Sequence, residues 1–124
     1  MKKIVVLFIF MMGSFSLHAQ FISKDIVPEH IQERVENQVD YLAKELALSG
    51  KQYTLMKNKL LDFEMKEQKL VNSDLPLKEK NKSIAALDIE KIREVRDILT
   101  KTQYDKYVQI VKEQRKNNLE NIRN

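Results

Sequence analysis

A chain of 124 residues with 22 basic and 18 acidic side chains has a formal charge of +4. That is too small and too interleaved with acids for a nucleic-acid footprint. No cysteine is present, which excludes disulfide stapling and thiolate chemistry, so stability must come from helix packing or from association.

The first segment reads as a cleavable signal peptide over residues 1–19. Lys2 and Lys3 precede an apolar run at 4–12, and a small, polar stretch ends in Leu17-His18-Ala19, with cleavage before Gln20. Nine apolar residues fall well short of the roughly 20 that span a bilayer, and no cysteine follows to carry a lipid anchor. The remaining domain, 20–124, keeps 20 basic and 18 acidic side chains, or +2, and has no stretch apolar enough for stable membrane insertion. Export out of the cytoplasm restricts mechanism, because no ATP is supplied outside the inner membrane and a small helical chain there must work by reversible binding.

Within 20–124 the only helix-breaking residues are Gly50, Pro28 and Pro76, in a background rich in Lys, Glu, Gln, Leu and Ile. The expected class is all-α, with four amphipathic helices. The first stripe at helical spacing is Ile31, Val35, Val39, Leu42 and Leu46, opened by Asp25 and Pro28. The second is Met56, Leu60, Phe63 and Leu70. The third is Ile84, Leu87, Ile92, Val95 and Leu99 with Ile89 beside it, and Asp74 is its expected N-cap with Pro76 in the first turn. The fourth is Tyr104, Tyr107, Val111, Asn118 and Ile122, interrupted by the polar Asn118. Asp40 with Lys44 and Asp62 with Lys66 are spaced for ordinary surface pairs of about 0.2–0.5 kcal/mol each.

Leu48-Ser49-Gly50-Lys51-Gln52-Tyr53 and Leu99-Thr100-Lys101-Thr102-Gln103-Tyr104 share the pattern Leu-[Ser/Thr]-x-x-Gln-Tyr, 51 residues apart. Each copy has the form of a capping box. The Ser49 or Thr100 hydroxyl accepts from the backbone N–H three residues on, while the Gln52 or Gln103 side chain reaches back to the cap's own N–H. Leu48 with Tyr53, and Leu99 with Tyr104, stand where a hydrophobic staple forms. Two copies, each midway through a half of about 50 residues, indicate an internal repeat of helix, cap turn and helix.

The paired Leu48-Ser49-Gly50-Lys51-Gln52 and Leu99-Thr100-Lys101-Thr102-Gln103, on a small exported helical chain, resemble the L-T-x-x-Q motifs of the Spy/CpxP family of periplasmic proteins. The likeness covers about 28–122, and the first copy has Ser in place of Thr. It implies a thin, curved, four-helix, hairpin-like protomer that forms a cradle-shaped homodimer. It also implies binding of unfolded or misfolded envelope proteins without ATP during envelope stress. Some members instead repress a sensor kinase, and one branch binds zinc.

Read by their own chemistry, the residues offer no enzyme. His30 is the only histidine of 20–124, there is no cysteine, and Gly50 alone cannot build a phosphate loop. His30 and Glu33, with Glu29 and Glu36 nearby, lack the several His or Cys ligands of a zinc site and read as a solvated acidic face near a helix N-terminus. No cofactor is expected. Unfolded clients would need accessible apolar groups among charges. The second helix offers Leu55, Met56, Phe63 and Met65 with Lys57, Lys59, Lys66 and Lys69, although Met56 and Phe63 are spaced like core. Lys106, Lys112, Arg115 and Lys116 make the last helix only faintly like a membrane-surface helix. The alternative to a chaperone is a regulatory protein bound to the outer domain of an envelope sensor.

Overall fold

The computed structural model describes residues 26–123; the expected signal peptide and Asp25 lie outside the described residues. The fold is all-α. Four helices follow in order: α1 (Glu29–Leu46), α2 (Gly50–Val71), α3 (Leu77–Val95) and α4 (Lys101–Arg123). Helix α2 packs between α1 and α3, and α1 also packs on α4, giving a hairpin-like arrangement.

Pro28 is the N-cap of α1, and its carbonyl accepts from the N–H groups of Ile31 and Gln32 at 2.9 and 3.1 Å. All five residues of the first stripe are buried, so α1 is the central strip of the core. The helix stops at Ala47, which is left-handed with φ 51° and ψ 54°. That conformation costs a residue with a Cβ roughly 1–2 kcal/mol. It is held by the N–H groups of Ala47 and Leu48, both of which donate to the Ala43 carbonyl. The chain then enters α2, whose buried residues are Met56, Leu60 and Phe63.

The turn from α2 to α3 differs from expectation. Pro76, not Asp74, is the N-cap, and its carbonyl accepts from Glu79 and Lys80 N–H at 2.9 Å each. Pro76 has an extended ψ of 147°, so the helix begins one residue later, at Leu77, and the Asp74 carboxylate stands two residues outside the cap position. No side chain caps α3. The α2 C-terminus is satisfied instead by Ser73 Oγ donating to the Leu70 carbonyl at 2.6 Å and Lys80 Nζ donating to the Val71 carbonyl at 2.8 Å.

Burial declines toward the later helices. In α3 only Val95 is fully buried, while Ile84, Leu87 and Ile92 are half-buried. In α4 the buried residues are Tyr107 and Ile110, and every residue of 112–123 is exposed. Ion pairs cross each interface: Arg34 with Glu64 and Lys57 with Glu36 join α1 to α2, and Lys59 with Glu94 at 2.8 Å joins α2 to α3. Arg115 with Asp88 ties α4 to α3. Such partly exposed pairs are screened by water and salt and add little to stability.

Candidate functional site

Both capping boxes are formed. Gln52 N–H donates to Ser49 Oγ at 3.2 Å and Ser49 N–H donates to Gln52 Oε1 at 3.0 Å. In the second copy Gln103 N–H donates to Thr100 Oγ1 at 3.3 Å and Thr100 N–H to Gln103 Oε1 at 3.0 Å. Each box satisfies two of the free N–H groups that open a helix. Leu48, Tyr53 and Tyr104 are half-buried against the core beside the boxes, and Leu99 is buried in it.

The two boxes also meet, which local capping does not require. Gln52 Nε2 donates to Gln103 Oε1 at 2.7 Å, and Gln103 Nε2 donates to Gln52 Oε1 at 3.1 Å. Each amide nitrogen has a second carbonyl in the other half of the chain. Gln52 Nε2 donates to Ile98 O at 3.2 Å, and Gln103 Nε2 to Leu46 O at 3.0 Å. The amide orientation is self-consistent, because each Oε1 faces a backbone N–H and each Nε2 faces a backbone carbonyl. Every glutamine therefore caps the start of its own second helix while holding a carbonyl at the close of the other half's first helix. We call this joint the clasp. It explains why the motif occurs twice: one copy supplies a cap, and the pair supplies a joint.

Around the clasp, Tyr53 Oη donates to Asp40 Oδ1 at 2.8 Å, and this hydrogen bond to a carboxylate raises the Tyr53 pKa. Asp40 thus serves Tyr53 across the hairpin. Arg96 lies over the Tyr104 ring, 5.1 Å from its centre, a cation–π contact. Lys106 Nζ donates to the Glu45 carbonyl at 2.5 Å, at the end of α1. Tyr107 is the largest fully buried side chain, and its hydroxyl is buried without a hydrogen-bond partner among the described residues. Burial pushes its pKa up to about 12.

The expected client-binding residues of α2 are not one open surface. Met56 is 0 % exposed and Phe63 2 %, so both are core and neither can meet a client on the folded surface. Met65 is half-buried against the core, and only Leu55, 42 % exposed, stands out. The lysines are engaged. Lys57 pairs with Glu36 and is raised in pKa by that bond, while Lys59 pairs with Glu94, whose carboxyl it holds down. Lys66 pairs with Asp62 at 2.8 Å and stands over the Phe63 ring, 4.9 Å from its centre; Lys69 is not free either.

Exposed apolar side chains lie elsewhere. Leu55 and Ile98 line an open cleft between α2 and α3 with Lys59, Asp62, Glu94 and Asp97 on its rim. Ile89 stands out from α3, Leu119 and Ile122 from the end of α4, and Val71, Leu75 and Leu77 from the α2–α3 turn. Most of these are absent from the stripes read off the sequence; the available signal was that they are large apolar residues standing off those stripes. Ile89 lies beside its stripe, and Ile122 closes one.

Among the described residues no group of three His, Cys, Asp or Glu is gathered to hold a metal, and no helix is long and apolar enough to cross a membrane. Glu36, expected near His30, is turned to Lys57. Compared with known proteins, the chain matches no family model, no curated protein and no solved structure.

Proposed function

We propose that this chain is an exported, ATP-independent chaperone of the Spy/CpxP kind, binding unfolded or misfolded envelope proteins by reversible apolar and charged contact. The observation that carries the reading is the clasp, in which the duplicated Leu-[Ser/Thr]-x-x-Gln-Tyr motifs join two helix pairs through Gln52 and Gln103. Such a joint holds the fold at one end and lets much of the helix surface stay uncovered. Tyr41, Leu55, Ile89 and Leu119 supply exposed apolar groups amid charged neighbours, the mixture that weak, varied binding needs. Pairing into a homodimer would cover part of that surface.

The test is aggregation of a thermally unfolding or refolding model client with the purified protein at a few-fold excess. Suppression without nucleotide is the expected result, and an unchanged aggregation curve refutes the proposal. A pull-down from envelope extract should recover a heterogeneous set of unfolded clients. Recovery of a single stoichiometric sensor would replace the chaperone reading with a regulatory one.

A further inference from the structure

Four of the five most exposed large apolar side chains among the described residues, Ile26, Ile122, Leu77 and Leu119 at 94, 81, 73 and 63 %, belong to helix ends remote from the clasp. Helices α1 and α3 close at the clasp and α2 and α4 open from it. Ion pairs then set the register of the opposite ends. Arg34 with Glu64 sets α1 against α2 and brings Ile26 toward Val71, the last residue of α2. Arg115 with Asp88 sets α4 against α3. Ile122 is seven residues past Arg115, about 10 Å along its helix, and Leu77 is eleven before Asp88, about 16 Å along its own, so the two are level to within about one turn. All of 74–79 and of 112–123 is exposed, so the described chain does not cover these groups itself. Apolar exposure gathered in one place, rather than scattered singly, marks an interaction surface.

Given the chaperone function proposed for this chain, on which this docking rests, we infer that clients bind at the end remote from the clasp, as locally extended segments with large apolar side chains at alternate positions. The arrangement of the groups selects the occupant. A folded helix, including one from a second copy, covers a stripe that steps by three and four residues along one helix. Here only Leu119 and Ile122 make such a step, and Ile26 and Leu77 come from the starts of two other helices. An extended chain presents every second side chain to one face, about 7 Å apart, and can follow groups that belong to separate elements. Charge does not select the client, because Lys78 and Lys82 are offset by the exposed Asp74 and Glu79. A client charge of either sign finds a counterpart there, and the apolar side chains carry the recognition. The clasp, at the other end of the helices, is left undisturbed.

A benzophenone side chain placed at Leu77 or Ile122 of the purified protein and irradiated with reduced α-lactalbumin, an unfolded client, should give client adducts well above those from the same probe at Tyr41 or Leu55. Leu77→Ser together with Ile122→Ser should raise the protein needed for half suppression of client aggregation about tenfold, with the melting temperature unchanged because both positions are exposed. Peptides with leucine at alternate positions should compete for the Leu77 adduct equally whether the intervening residues are Lys or Glu. Two results would overturn the docking end and leave the chaperone reading standing: wild-type suppression that the double variant matches, or adducts as strong at Tyr41 and Leu55. Wild-type protein that suppresses nothing would overturn both. Competition by peptides of one sign only would overturn the inferred class of client. Adducts that join two copies of the chain, or stay within one, and exclude the client would also overturn the docking end, because the chain itself would then cover it.

Discussion

Removing one glutamine of the clasp should cost more than any single cap, and the two removals should be strongly non-additive. Gln52 takes part in four hydrogen bonds through its amide, at 2.7, 3.0, 3.1 and 3.2 Å, and Gln103 likewise in four, with two bonds common to both. At a net contribution of about 0.5–1 kcal/mol per half-buried bond, Gln52→Ala or Gln103→Ala should each cost about 2–4 kcal/mol. The double variant loses six bonds, not eight, so its cost should fall short of the sum by about 1–2 kcal/mol. A domain of this size has only about 5–15 kcal/mol in all, so the effect is large enough to read by urea denaturation followed by circular dichroism. Costs that add to within about 0.5 kcal/mol would show that the two boxes act separately, and the reciprocal amide pairing would then be wrong.

Three further outcomes follow from single positions. Thr100→Ala removes the hydroxyl that accepts from Gln103 N–H and should cost about 1 kcal/mol, lowering Tm by about 4–8 °C in a thermal melt. Gly50→Ala should stabilise by about 0.5–1 kcal/mol in the same melt, because Gly50 is helical and a Cβ there meets nothing within 4 Å. Tyr107→Phe should raise stability at neutral pH by about 1 kcal/mol, since it removes a buried hydroxyl without a partner. In the wild type the unfolded tyrosine ionises near pH 10 while the native one keeps its proton to about 12, so stability falls as pH rises across that window, by about 2–3 kcal/mol in total. The phenylalanine variant should lack that part of the fall, and parallel pH profiles of the two proteins would refute it.

The helix count and the first stripe were fully legible in the sequence, because α1 is covered on its apolar side by α2 and α4 and period alone then reports burial. The same rule loses force in α3 and α4. Ile84, Leu87 and Ile92 are only half-buried, Ile122 is 81 % exposed, and buried Ile110 is not on the stripe. Spacing shows that a face exists; whether another helix covers it depends on tertiary contacts that spacing does not contain. The local hydrogen bonds of both caps could be written from the motif alone. Their union could not, although one clue was present: a capping box uses only the oxygen of a glutamine amide, and a half-buried Nε2 still needs acceptors. The expectation for Asp74 fails because it gives a good capping residue close to a proline more weight than the proline itself, which takes the cap position.

The clasp also has a kinetic consequence. Its partners are 51 residues apart, in a helical chain whose other turn and cap contacts are mostly local. Closing so long a loop costs chain entropy that only formed helices repay, so the glutamines should meet after the hairpins have condensed. Clasp variants should then unfold faster and fold at nearly the wild-type rate. On that account the repeated motif acts as a brake on opening, setting how long the folded chain keeps its shape between one unfolding event and the next.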